Sequence, residues 1–294
     1  MEKQREFASI GAAKTNSLPP KKDAIYIAIC LAIVAGAFLL VWPAGDIAFG
    51  DDVAYSRMAL RLAETGHLML NGWEAAMNLQ HAYWGALVIK LFGFSPFYLR
   101  VSTIPFALGA VALSYLLGRN AGLKNSAAAL VALTLGLSPI FVPFALSYMT
   151  DVPGLFFFLV SLYALSRAFE SPDGWQGYVW MAAGTSAGLV GGTGRQMVWF
   201  VPLLVLPYLG WVRRRNVRFA ASCLAAWALS VSCVAGVTFW FNHQNYVVPL
   251  PSLFSELRMA ASRPAAETEI FSRILLMLLL MCLPTAVPLA VRLA

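Results

Sequence analysis

The chain has 294 residues, 60% of them apolar and only 12% charged, with a formal net charge of +7 and a mean hydropathy of +0.70. Soluble domains carry about 25% charged residues, and half that share cannot cover a water-facing surface; a soluble enzyme, a coiled coil and a disordered chain are excluded. The apolar runs are continuous and approach or exceed about 18 residues, unlike the alternating ~10-residue strands of a β-barrel, so they predict an all-α polytopic membrane protein.

In chain order, residues 1–23 are polar, with Lys14, Pro19, Pro20, Lys21 and Lys22. They read as a cytoplasmic tail. The run 24–42 is long for the apolar part of a signal peptide and is followed by no clear A-x-A cleavage site, so it is expected to stay as a first span. After a loop of about 43–95, further spans are expected at roughly 96–118, 125–146, 152–168, 176–192, 196–212, 219–241 and 271–291. That makes eight, in one transmembrane domain covering 24–294. Cys30, Cys223, Cys233 and Cys282 each lie inside an apolar run with no CxxC spacing, so they read as small buried hydrophobes rather than disulfide or zinc ligands.

The first loop has order of its own. In 51–65, Tyr55, Met58, Ala59 and Leu62 form an apolar stripe and Arg57, Arg61 and Glu64 a polar one, with Gly66 as the stop. In 80–94, Trp84, Leu87, Val88 and Leu91 follow the 0, 3, 4, 7 spacing, but the segment is short and holds Lys90. Both are expected to be helices lying in the membrane interface. With the N-terminus inside, the inner segments carry 13 basic and five acidic residues and the outer segments eight and nine. The inside is then +8 and the outside −1, as the positive-inside rule asks. The basic residues sit in short clusters that set topology, so the net charge does not indicate nucleic acid.

Three outer features could carry chemistry. Asp51-Asp52 follows Gly50 at the start of the first loop helix, where one Asp would serve as an N-cap and two exceed that need. Asp151, in Ser147-Tyr148-Met149-Thr150-Asp151-Val152-Pro153, reads either as an N-cap or as a functional charge at the mouth of two spans. Gly191-Gly192-Thr193-Gly194-Arg195-Gln196 reads either as a tight turn with a snorkelling Arg or as a site where Arg195 grips a phosphate. His67, His81 and His243 are isolated in sequence.

Taken together these residues resemble the GT-C superfamily of integral-membrane glycosyltransferases, of the protein O-mannosyltransferase and aminoarabinose-transferase type. Asp51-Asp52-x-x-Tyr55 with Ala63-Glu64-Thr65-Gly66 is similar to the family's first outer loop. Tyr83-Trp84, Leu91-Phe92-Gly93, Ser95-Pro96 and Leu99-Arg100 resemble its interfacial helix and the start of its second span. Tyr148-Met149-Thr150-Asp151 resembles the second-loop acid, and Thr193 to Gln196 a later basic site. The ordered set covers about 45–215. Asn78-Leu79-Gln80-His81-Ala82 stands where the family often has Lys-Pro-Pro, so Arg195 or Arg100 would have to replace a lysine at the donor phosphate. Family members usually have more spans and a C-terminal extramembrane domain; this chain stops at Ala294, as a short member, a fragment or a degenerate copy would.

The resemblance implies a sugar moved from a polyprenyl-phosphate carrier to a lipid, glycan or protein acceptor on the outer face of a bacterial inner (plasma) membrane. Asp51 would be the general base. Asp52 or Asp151 would orient the acceptor or share a divalent cation. Arg195, with Tyr55, Tyr83 and Arg100, would bind the substrate and its phosphate. Two readings compete: a transporter or flippase for a lipid-linked sugar, and an inactive family member. A transporter would place ionisable residues near mid-membrane, whereas here the acids collect on one face.

Overall fold

Apolar runs with small residues at helical spacing form helices that approach one another closely, and all the regular structure among the described residues is helical. The computed structural model describes residues 21–42, 50–70 and 77–244, with Ser262 and Ser272. The chain separates into two units, Met1–Val247 and Val248–Ala294, and the helix bundle is the first of them. The expected span 271–291, Cys282 and most of the expected tail lie outside the described residues.

Helix α1 is Lys21–Leu40. The first loop holds α2, Asp52–Thr65, and α3, Leu79–Phe92. The expected second span is split into α4, Pro96–Val101, and α5, Ile104–Asn120. At the break, the Thr103 hydroxyl contacts the carbonyls of Arg100 (2.6 Å) and Ala145 (2.8 Å), and Pro105 has no N–H to continue the helix. The expected third span is also split, into α6, Asn125–Gly136, and the short α7, Phe141–Ala145. Pro139 lies between them and removes a backbone donor. Helix α6 alone, at 12 residues, spans about 18 Å and cannot cross a bilayer by itself. Then come α8, Asp151–Glu170, α9, Trp175–Gly194, a 3₁₀ turn at Gln196–Trp199, α10, Phe200–Val212, and α11, Val217–Asn242.

Four described segments are long and apolar enough to cross a membrane: Lys21–Leu40, Pro96–Asn120, Asp151–Glu170 and Val217–Asn242. Gln196–Val212 is a shorter apolar stretch. Helix α9 has the length, 20 residues, but is rich in glycine and packs along α8. Its glycines and α8 meet so closely that the Ser161 hydroxyl donates to the Gly184 carbonyl at 2.7 Å, the small-residue packing expected where no water drives association. The protein is an all-α polytopic membrane protein.

One core joins Cys30, Val34 and Phe38 of α1 to Ala107, Ala110 and Val111 of α5 and Ala128 and Ala132 of α6. A second joins Leu165 and Ala168 of α8, Met181 of α9, Leu206 and Leu209 of α10 and Phe219 and Cys223 of α11. Helix α2 follows its sequence pattern: Met58, Ala59 and Leu62 are buried, Arg57, Arg61 and Glu64 are exposed, and Gly66 closes it at φ 72° with its N–H on the Leu62 carbonyl. Helix α3 departs from the single stripe expected of it. His81, Ala82, Gly85, Ala86, Val88 and Ile89 are buried against the protein, while Tyr83, Leu87 and Leu91 form an exposed apolar row. It is apolar on both faces because one meets α2 and the other is left for lipid.

The helices alternate between two ends. Asp51, Asp52, Asp151 and Arg195 lie where α2 and α8 begin and α9 finishes. Asp23, Arg119 and the arginines after α10 lie at the opposite end, which bonds from Asn120 to Ser166 (3.1 Å) and from Arg213 to the Phe169 carbonyl (3.0 Å) tie together. There, buried Asp23 accepts from the Arg119 guanidinium (2.9 Å), the buried Tyr115 hydroxyl (2.8 Å) and Asn125. This cluster fixes α1 to α5 and α6. Asp23→Ala removes the acceptor that Arg119, Tyr115 and Asn125 share and is expected to cost about 1–3 kcal/mol, read as a lowered unfolding midpoint in detergent, with a smaller loss for Asp23→Asn. A cysteine at exposed Gln196 should react with an impermeant maleimide added to intact cells, and one at Arg214 should not; equal labelling of both would contradict the two-ended arrangement.

Candidate functional site

The site is assembled from α2, α3, α4 and the turn between α7 and α8. Its centre is the 147–150 turn. Tyr148, 1% exposed, reaches into α3. Its hydroxyl donates to the His81 carbonyl at 2.7 Å and occupies the space a side chain at Gly85 would need, with a Cβ there only 1.9 Å from the hydroxyl oxygen. In return, His81 Nε2 lies 3.4 Å from the Tyr148 carbonyl, and the two rings stack with centroids 4.0 Å apart. Tyr55 of α2 meets His81 edge-on at 5.7 Å. Two reciprocal bonds and three rings thus clamp the turn to both loop helices.

The clamp positions the charged residues. Asp52 is buried and accepts from Arg100 Nε at 3.1 Å, with both side chains about 4% exposed or less. Burial pushes the Asp52 carboxyl upward, and the hydrogen bond and charge of Arg100 oppose it. Asp51 sits at the N-cap position of α2 but makes no capping bond, is exposed, and forms no ion pair among the described residues. The reading of Asp51 as a mere cap is therefore set aside. Asp51, Asp52 and Arg100 form the polar wall of a cavity of about 710 Å³, whose other wall is apolar, with Val142, Pro143 and Phe144 of α7 among its residues. That volume is in the range of small-molecule sites.

Asp151 and Arg195 form a second pair, Arg195 Nη2 to Asp151 Oδ1 at 2.7 Å, with side chains 41% and 32% exposed. Arg195 Nη1 also reaches the Thr150 hydroxyl at 3.4 Å. The bend of the chain at Arg195 brings its stem against the first turn of α8, where Gly154 leaves room: a Cβ there would lie 2.7 Å from that of Arg195. Neither Asp151 nor Arg195 lines the cavity. The link is Tyr55, whose side chain bonds that of Thr150; burial raises its hydroxyl pKa, Asp51 and Asp151 add to the rise, and Arg195 opposes it. Tyr55 therefore lies within electrostatic reach of both acids.

Of the residues singled out in sequence, the fold gathers Asp51, Asp52, Tyr55, Arg100, Asp151 and Arg195 at one end. Tyr83 is not among them: it is 59% exposed on the outer row of α3 and does not line the cavity. Sequence reading missed His81 and Tyr148; His81 is an isolated histidine in the chain but a fully buried one in the fold. Among the described residues no three His, Cys, Asp or Glu side chains lie close enough to hold a metal ion.

The sequence profile of the dolichyl-phosphate-mannose-protein mannosyltransferases matches residues 79–240, more than half of the chain. The chain belongs to that family. The match begins at α3, so the acidic pair of α2 precedes it. Among solved structures, the S. cerevisiae protein O-mannosyltransferase Pmt1-Pmt2 complex bound to the sugar donor is similar in fold, with a TM-score of 0.60 and 17% identity over 84% of this chain. The mannosyltransferase-family chain spans 36% of the length of that one. No curated protein sequence matches it.

Burial holds His81 neutral and pushes its pKa down to about 4. The folded state then binds fewer protons than the unfolded state between about pH 6.5 and 4, so stability falls as pH drops through that window. His81→Gln should flatten this slope in thermal unfolding measured from pH 7 to 4; an unchanged slope would show that another group titrates. Tyr148→Phe removes the bond to the His81 carbonyl and keeps the ring, and should lower stability by about 1 kcal/mol while Gly85→Leu prevents the clamp from closing.

Proposed function

We propose that this chain transfers a sugar from a polyprenyl-phosphate carrier to a hydroxyl acceptor at the outer face of the membrane, with Asp51 as general base. The observation that carries the reading is the state of Asp51: a carboxylate that lines the cavity and, among the described residues, is spent neither on a helix cap nor on an ion pair. The family membership supports the reaction class.

A hydroxyl attacks poorly unless its proton leaves as the new bond forms. Asp51 takes that proton while the acceptor oxygen bonds to the anomeric carbon, and the bond from that carbon to the phosphate oxygen breaks. The electron pair leaves with the lipid phosphate, and in-line attack inverts the anomeric centre. General-base help of this kind contributes typically about 10²–10⁴-fold. Arg195 receives the phosphate, whose charge grows during the step. Arg100 is less suited, because it is buried and already bonded to Asp52. The apolar wall of the cavity suits an isoprenoid chain, whose burial favours binding by about 0.8 kcal/mol per CH₂.

The Asp151–Arg195 pair gives Asp151 a role of its own. It occupies the guanidinium that the phosphate needs, so the donor displaces it on binding. A half-exposed pair is worth little, and the displacement is easy. The freed Asp151, one residue from the Tyr55 partner Thr150, is then available to the acceptor. A transporter finds less support, because the described spans carry their charged residues near their ends and none at their middles.

Transfer and donor binding are measured separately in membranes with a polyprenyl-phosphate sugar. Asp51→Asn should reduce transfer by at least about a hundredfold and leave donor binding intact. Arg195→Ala should weaken both. Asp151→Asn should tighten donor binding by about two- to fivefold, and that gain should vanish in an Arg195→Ala background. Full transfer by Asp51→Asn would remove it as the base; weaker donor binding by Asp151→Asn would sink the displacement step.

A further inference from the structure

The end of the molecule opposite the cavity holds a second concentration of charge, of the other sign. Arg213, Arg214, Arg215 and Arg218 fall within six residues at the corner between α10 and α11. The corner is fixed. Arg213 donates to the Phe169 carbonyl at 3.0 Å and lies 4.3 Å over the Phe169 ring. Asn216 donates to the Pro172 carbonyl (3.3 Å) and to the Asp173 carboxylate (2.6 Å), and accepts from the Phe219 N–H (3.1 Å). Asp173 is thus engaged, and Glu170 is paired with Arg167 at 3.2 Å. Arg214, Arg215 and Arg218 are exposed and form no ion pair among the described residues.

An apolar column leads to these arginines. Phe200, Leu204, Tyr208 and Trp211 share one face of α10 and are 57–69% exposed. Arg214 sits over the Trp211 ring at 4.9 Å and donates to the Trp211 carbonyl at 3.4 Å. Trp175, which opens α9 at the same end, is 73% exposed. Exposed Trp and Tyr in a membrane protein mark the headgroup level, so the arginines stand at the height of lipid phosphates.

We propose that this corner binds an anionic phospholipid of the bilayer, its phosphate on Arg214, Arg215 and Arg218 and an acyl chain along the α10 column. Three exposed like charges within five residues repel one another, and no carboxylate among the described residues forms an ion pair with them; Asp173 beside them, bonded to Asn216, offsets one charge at most. A phosphodiester does, and guanidinium matches it in bidentate geometry. The column selects the lipid over a soluble anion, because only a molecule with a chain covers both features. The site lies away from Asp51, Asp151 and Arg195, so the inference stands apart from the transfer reaction.

The test uses the purified full chain, delipidated in mild detergent and titrated with phosphatidylglycerol or phosphatidylcholine under native mass spectrometry. The wild type should prefer phosphatidylglycerol by about a hundredfold, each Arg→Gln change lowering that preference by about fivefold. R214Q/R215Q/R218Q together should abolish the preference and leave phosphatidylcholine binding as it was. Should that variant fail to fold, R214K/R215K/R218K keeps the charge and loses the fork, and should show a reduced preference. Equal binding of the two lipids by the wild type, or an undiminished preference in either triple variant, would overturn the proposal. So would glycerol phosphate binding as tightly as phosphatidylglycerol, which would make the corner a soluble-anion site.

Discussion

The cavity end of the protein depends on one insertion, the Tyr148 side chain entering α3 at Gly85. The turn from Ser147 to Thr150 joins α7 to α8, and left to itself it would only link two helices. Tyr148 converts it into a bracket. Its hydroxyl and carbonyl are both engaged by His81, which fixes the turn to α3, and Tyr55 packs on His81 from α2. Asp51 and Asp52 begin α2, and Asp151 begins α8. The distance between the acids is therefore set by the ring stack beneath them, and not by the hundred residues of sequence between them. Buried polar groups of this kind hold geometry because breaking any one leaves another unpaired.

Much of this was legible in the sequence. Hydropathy alone separates the spans from the loop, because a continuous apolar run has only one stable setting. The stripe on α2 and its stop at Gly66 follow from helical spacing and from the left-handed turn that glycine permits. The breaks at 102–103 and 137–140 were also signalled, by Pro105 and Pro139, but composition hides them: the residues on both sides are equally apolar, so a hydropathy window runs through. The two faces of α3 were illegible for a related reason, since lipid and protein interior ask for the same side chains.

The site divides along the same line. Its acids could be found because charge is scarce in such a chain, and any carboxylate beside an apolar run demands an account. Their partners could not. Asp52 and Arg100 lie 48 residues apart, and Asp151 and Arg195 lie 44 apart; nothing local says that these arginines neutralise acids instead of facing solvent. His81 and Tyr148 were missed because an aromatic residue in an apolar segment looks like packing. The one signal was Gly85 within α3. A glycine in a helix interior costs stability, and a close approach by another element is the common reason to retain it.

Charge is handled in opposite ways at the two ends, and this bears on what each end does. At the cavity end, Arg100 and Arg195 each have an aspartate within 3.1 Å, and Asp51 is in no ion pair among the described residues. In the proposed reaction, an anionic donor arriving at the cavity finds both of these arginines already paired. To reach either guanidinium it must take it from its aspartate. Asp52–Arg100 is buried on both sides, so separating it would strand a charge in a dry setting at a cost of several kcal/mol. Asp151–Arg195 is screened by water, so exchanging a carboxylate for a phosphate costs little. The difference in burial between two otherwise similar ion pairs therefore sorts their roles: the first holds α2 to the last turn of α4, and in the proposed reaction the second is the one a phosphate opens.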